Sequence, residues 1–105
     1  MKNHLIEFEK MEWVNAGVGV RYKAYVNGNQ RIRMVEFSYG FIETDWCLRG
    51  HAGYVLDGTF ELNFNGNKER FVSGDIFFIP SGEIGKHKAV LDVGEKVTLL
   101  LFELI

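Results

Sequence analysis

The chain has 105 residues, enough for one domain and one core, and 47 % of them are apolar, including nine Phe. Its net charge of −2, with no Lys/Arg cluster beyond isolated pairs, argues against a nucleic-acid surface and against electrostatic membrane binding. A single Cys cannot form an internal disulfide, which fits a reducing compartment. The first residues carry charge too early for a signal peptide, and the longest apolar run is too short to span a bilayer. A cytoplasmic protein formed by residues 1–105 as one domain is the expectation.

No window shows a sustained helical period, and twelve Gly and one Pro punctuate short alternating runs. Leu5 to Trp13 reads as one or two short strands. Val18 to Val26 alternates, Asn27-Gly28 is a tight-turn signal, and Arg31 to Tyr39 returns as the hairpin partner. In that return strand, Val35, Phe37 and Tyr39 share one face while Ile32 and Met34 share the other, so both faces are expected to be covered.

The chemistry gathers between Asp45 and Gly58. This stretch holds Cys47, His51, Trp46 and two carboxylates, and it ends in Asp57-Gly58, a two-residue hairpin signal. If the stretch is extended, Asp45, Cys47 and His51 share one strand face, and Trp46 faces away from them. Phe60, Leu62 and Phe64 then alternate with polar residues, and Asn65-Gly66 turns the chain. Ile76 to Ile79 is a continuous apolar run that reads as buried on both sides, closed by Pro80. Lys86 to Leu91 and Lys96 to Leu104 supply the last strands. From Val97 to Ile105 only Thr98 and Glu103 are polar, and two apolar faces on one strand predict a second covering surface, either the N-terminal segment with Leu5, Ile6 and Phe8 or, as the favoured reading, the partner in a symmetric homodimer.

Many short strands with Gly turns and no helix define an all-β sandwich or barrel. Gly58, followed by Gly74-Asp75-Ile76-Phe77-Phe78-Ile79-Pro80-Ser81-Gly82, resembles the second motif of the cupin family. Tyr54 to Gly58 resembles the end of the first. The resemblance covers roughly Gly40 to Leu91 and implies a double-stranded β-helix (jelly-roll) barrel with a site in one mouth. It also implies metal positions, and this chain fills them with altered residues. Asp45 and Cys47 fall where the family usually carries its first two His, and His51 falls where it carries Glu. Gly85 holds the place of the last His, with His87 two residues beyond.

A thiolate, two imidazoles and a carboxylate suit Zn²⁺. Asp45, His51 and His87 alone would suit Fe²⁺. Without a metal, Cys47 is a small buried hydrophobe, the two His are hydrogen-bonded pocket residues and Asp45 caps a turn. Arg49 shares parity with Cys47 and has the chemistry to bind a carboxylate or phosphate. Tyr22, Arg33, Glu36 and Tyr54 are further candidates for the pocket wall or rim. Three functions stay open: a metal-dependent enzyme of dioxygenase or isomerase type on a polar small molecule, a non-catalytic module for a sugar or small acid, and the sensory part of a regulator whose DNA-binding part lies on a separate chain.

Overall fold

The computed structural model describes residues 4–43 and 45–105. Eight strands follow in chain order: β1 (Val14–Gly17), β2 (Val20–Asn27), β3 (Gln30–Ser38), β4 (His51–Phe64), β5 (Asn67–Val72), β6 (Ile76–Ile79), β7 (Lys88–Val90) and β8 (Lys96–Leu104). All neighbours are antiparallel, in the order β1-β2-β3-β8-β4-β5, with β6 and β7 also on β4. This is the jelly-roll barrel that the Gly-Pro skeleton implied, and among the described residues helical content is confined to single 3₁₀ turns at Phe8–Lys10 and Glu83–Gly85.

β4 is the strand on which the barrel closes. Its first half pairs with β6 and β8, its second half with β5 and β7. The buried residues of the first half are His51, Gly53 and Val55, and those of the second are Phe60 and Leu62. The buried parity therefore flips from odd to even within one strand. A bulge between Val55 and Asp57 produces the flip by inserting one extra residue opposite β8. Gly58 (φ +88°) sits at that bend, and a Cβ there would strike the Lys96 carbonyl. Asp57-Gly58 is thus a bulge inside a strand and not the hairpin turn expected from the dipeptide. The strand needs the extra residue to pass from one sheet to the other, and that long-range demand outweighs the local turn preference.

The inner faces meet in a core of Val35, Val55, Phe60, Leu62, Phe77, Ile79, Ala89, Leu91, Val97, Leu99 and Leu101. The rings of Phe60, Phe71 and Phe77 pack with centroids 5.3–6.3 Å apart. Both signals mark turns, the first one residue later than expected: Asn27 ends β2 and pairs with Gln30 around Gly28-Asn29, while Asn65 (φ +52°) with Gly66 joins β4 to β5.

Three local expectations need correction. The segment from Leu5 to Trp13 is not strand; it makes a 3₁₀ turn and lies over the outside of β2. Lys23 Nζ donates to the Phe8 carbonyl at 2.8 Å, and Arg21 and Lys23 sit 4.2 and 4.8 Å from the Trp13 ring. Residues 45–50 are not an extended strand either; the ladder begins at His51. Ile76 to Ile79 is buried on one face only, because Ile76 and Phe78 remain 79 % and 78 % exposed. Both faces of β3 are partly covered, with Val35 buried and Phe37 half-buried on one and Ile32 and Met34 half-buried on the other; Tyr39 lies beyond the strand and is exposed.

Candidate metal centre

Cys47 and His87 are brought face to face by the backbone. Cys47 N–H donates to the His87 carbonyl at 2.9 Å, and His87 N–H donates to the Cys47 carbonyl at 3.1 Å. Such a reciprocal pair puts both side chains on one face. Trp46 and the flanking Lys86 and Lys88 therefore point the other way, with the ammonium groups 5.4 and 4.6 Å from the Trp46 ring centroid. The turn at Pro80 to Gly82 anchors this loop: Gly82 N–H donates to the Leu48 carbonyl and Gly50 N–H to Ser81 Oγ.

His51, the first residue of β4, enters from the adjoining strand. Its Nε2 lies 3.9 Å from Cys47 Sγ, and its ring is 5.5 Å from that of His87. One donor atom from each of Cys47, His51 and His87 falls within a 4.8 Å cluster. A 3₁₀ turn over Glu83–Gly85 leads into His87. That turn places the Gly85 carbonyl 2.9 Å from His87 Nδ1.

His51 Nδ1 meets a residue absent from the sequence-based set. Glu103 Oε2 lies 2.9 Å away, off the ring N–H direction, so the contact is ionic rather than a linear hydrogen bond. The Glu103 side chain is fully buried, and two arginines grip it in fork geometry. Arg33 approaches its oxygens at 2.6 and 3.0 Å, Arg31 at 3.1 and 3.3 Å. The signal for this network lay in strand parity. Glu103 is in step with Val97, Leu99 and Leu101, and Arg31 and Arg33 are in step with Val35. Glu43 was also missed; it lines the cavity, and its Oε1 accepts the Ala89 N–H at 2.7 Å.

The electrostatics follow from these contacts. Hydrogen bonds from His51 and then His87 bring the Cys47 thiol down to about 5, against the opposing effect of burial. Burial disfavours the charged form of both imidazoles, yet contacts with Cys47 outweigh it, joined by Glu103 at His51 and the Gly85 carbonyl at His87. Both His therefore titrate above their ordinary value. Burial opposes ionisation of Glu103, but His51, Arg33 and Arg31 together hold its carboxyl far below the usual range. Burial raises Glu43, with the Ala89 hydrogen bond working in the opposite direction.

These groups open into a cavity of about 450 Å³, within the range of small-molecule pockets. Tyr22, Arg33 and Arg49 line it beside Cys47, His51 and His87. Asp45 does not join them: it is exposed and outside the cluster. Because residues 45–50 are not extended, its shared parity with Cys47 carries no shared face. The Fe²⁺ set that required Asp45 thereby loses its carboxylate. Glu36 lies between Val35 and Phe37 and so points outward, paired with Arg21 at 2.9 Å and Lys96 at 3.5 Å. Tyr54, between Gly53 and Val55, likewise faces out and is 37 % exposed.

No protein-family model matches the chain, and no curated protein matches it. Solved structures do. KdgF from Halomonas sp. is 26 % identical with a TM-score of 0.72, over 92 % of this chain and 89 % of its own. The polyketide cyclase RemF from Streptomyces resistomycificus is 19 % identical with a TM-score of 0.79, over 99 % and 79 %. An RmlC-like cupin from Shewanella frigidimarina is 22 % identical with a TM-score of 0.71, over 97 % and 92 %. Together these likenesses show that the chain has the fold of a small cupin domain.

Proposed function

We propose that residues 1–105 form one cupin unit whose barrel holds a small molecule next to a divalent metal of the zinc class on Cys47, His51 and His87. One observation carries this reading: both imidazoles have Nδ1 engaged, by Glu103 and by the Gly85 carbonyl, which leaves Nε2 of each for the cluster with Cys47 Sγ. Outer contacts of this kind fix ring orientation in metal sites. Two imidazoles and a thiolate are a zinc set with a fourth position open to water or substrate. A metal bound there supplies Lewis acidity, or an activated water at neutral pH. The chain's own residues do the rest: Glu103 holds His51, Gly85 holds His87, and the Phe-rich wall excludes water. Cys47 is a free thiol, which supports a reducing cytoplasm as its setting. No helix of the described residues is long and apolar enough to cross a membrane.

A second reading rests on the same trio. With Cys47 ionised between two imidazoles that favour protonation, the cluster is satisfied without an ion. The pocket is then a binding module without turnover. Calorimetric titration of Zn²⁺ into wild type and His51→Ala separates the two. Micromolar or tighter binding lost in the variant supports the metal centre, and no uptake by wild type rejects it in favour of the module.

For the assembly we propose a symmetric homodimer through the outer face of the larger sheet. Phe102 of β8 pairs with Ala52 of β4, which pairs with Phe78 of β6; one step along, Leu100, Tyr54 and Ile76 form the parallel row. Ile76, Phe78, Phe102 and Leu104 are 79 %, 78 %, 46 % and 69 % exposed, an apolar strip of the kind that marks an interface.

A further inference from the structure

We infer that the ligand of the cavity is a small organic carboxylate with a flat or aromatic body, its charge received by Arg49. The inference rests on the small-molecule pocket proposed above but not on the metal. Three arginines line the cavity, Arg31, Arg33 and Arg49. Arg31 and Arg33 are both committed to Glu103. Arg49 meets no carboxylate among the described residues, and its side of the cavity adjoins the trio, since the Cys47 thiol lies 3.9 Å from the Arg49 carbonyl. The one wall carboxylate, Glu43, directs an oxygen to the Ala89 N–H. Arg49 is therefore the one cavity arginine without a carboxylate partner among the described residues, and such a group repels a cationic ligand and draws an anionic one.

The remaining wall decides the body of the ligand. It is built from Phe37, Phe41, Phe60, Phe77 and aliphatic residues, with the Tyr22 hydroxyl as a polar handle. Among the described lining residues there is no Asn, Gln, Ser or Thr. A sugar buried here would leave most of its hydroxyls without partners, and each unsatisfied buried group weakens binding. A planar apolar body loses nothing on the same wall, and offset packing on Phe rings favours it. A fork of guanidinium N–H donors matches a carboxylate in geometry as well as charge.

The test uses chelator-treated, dialysed protein and three probe pairs: benzoate, phenylacetate and cinnamate, each against its uncharged amide. Binding is followed by ligand-observed NMR and calorimetry. At least one carboxylate is expected to bind about ten-fold more tightly than its amide. Arg49→Gln is expected to remove that preference and leave the amide unchanged, while Arg49→Lys retains part of it. Circular dichroism confirms that the variants fold, which is expected because Arg49 is exposed. If no carboxylate outcompetes its amide, or if Arg49→Gln leaves the preference intact, the inference is overturned. Because no metal is present, these outcomes are independent of the Zn²⁺ titration: zinc uptake without carboxylate selectivity rejects this inference alone, and the converse rejects the metal centre alone.

Discussion

Glu103 reaches from the end of β8 to the first residue of β4, setting its Oε2 2.9 Å from His51 Nδ1. In the β4–β8 register Ala52 pairs with Phe102, so His51 and Glu103 stand opposite each other at the next step, and Arg31 and Arg33 on β3 hold the carboxylate from the other side. A fully buried carboxylate flanked by two guanidiniums and an imidazole is thereby the anchor of the ring that completes the trio.

Replacing Glu103 therefore acts on the metal through His51. Glu103→Gln keeps the shape and removes the charge, and Zn²⁺ affinity should fall about 10–100-fold, the usual effect of losing a partner behind a ligating His. Glu103→Ala leaves the guanidiniums without their acceptor and should also destabilise the fold by about 3 kcal/mol. Competition with a chromophoric chelator measures the first effect, and urea denaturation the second. Unchanged zinc affinity in folded Glu103→Gln would show that the contact does not orient the ring.

The pH dependence of zinc uptake has a defined sign. Cys47, at about 5, is already ionised near neutrality and costs no proton there. His51 and His87 are raised above the ordinary 6.5, so each retains a proton to higher pH in the metal-free protein. Uptake must displace up to two protons, and affinity should rise with pH up to the two His titrations and then level off. Calorimetry in buffers of different ionisation enthalpy counts the protons released. Zinc affinity that is flat from pH 6 to 8 would contradict the raised imidazoles.

Acid lability follows from Glu103 and Glu36. Both are depressed below 4.5 in the folded chain, Glu36 chiefly by its hydrogen bond from Arg21 and Glu103 by His51, Arg33 and Arg31 against burial. Their stabilisation is fully present above 4.5. It is lost as pH falls through the folded values, because the unfolded chain takes up the protons first. Thermal melts from pH 5 to 3 should show a falling midpoint, with a shallower fall in Glu103→Gln.

Gly58→Ala should be among the most damaging single-methyl changes. The position has φ +88°, and the added Cβ meets the Lys96 backbone, which cannot swing aside without breaking the β4–β8 ladder. A loss of more than about 2 kcal/mol is expected. A wild-type denaturation midpoint would mean that the bulge tolerates a side chain.

The proposed dimer is checked by Ile76→Asp combined with Phe78→Asp. Both side chains lie outside the core, so the barrel should persist while light scattering shifts from twice the chain mass of 12.1 kDa to the chain mass itself. A wild-type protein that is already monomeric at micromolar concentration would remove the proposal.

The sequence by itself determined the strands and the turns. Alternation placed β2, β3 and β8 within a few residues, Asn65-Gly66 turns with both residues at positive φ, and the Asn27-Gly28 signal marks a turn that falls one residue later, at Gly28-Asn29. These are local consequences of side-chain period and backbone sterics, and the Gly-Pro skeleton from Gly58 to Gly82 pointed to the barrel. Cys47, His51 and His87 could be singled out by chemistry, but their convergence is a tertiary fact. It depends on the reciprocal backbone pair between Cys47 and His87, residues 40 positions apart, and on His51 opening a strand rather than continuing one. Asp45 separated from them because a loop has no period of two. Glu103 and Arg31 could not be assigned to the site from spacing alone, since a charged residue on the buried parity of a strand is either an error of register or one member of a network. Only the arrival of His51, Arg31 and Arg33 around one carboxylate decides between the two, and that arrival is set by how the sheet curls.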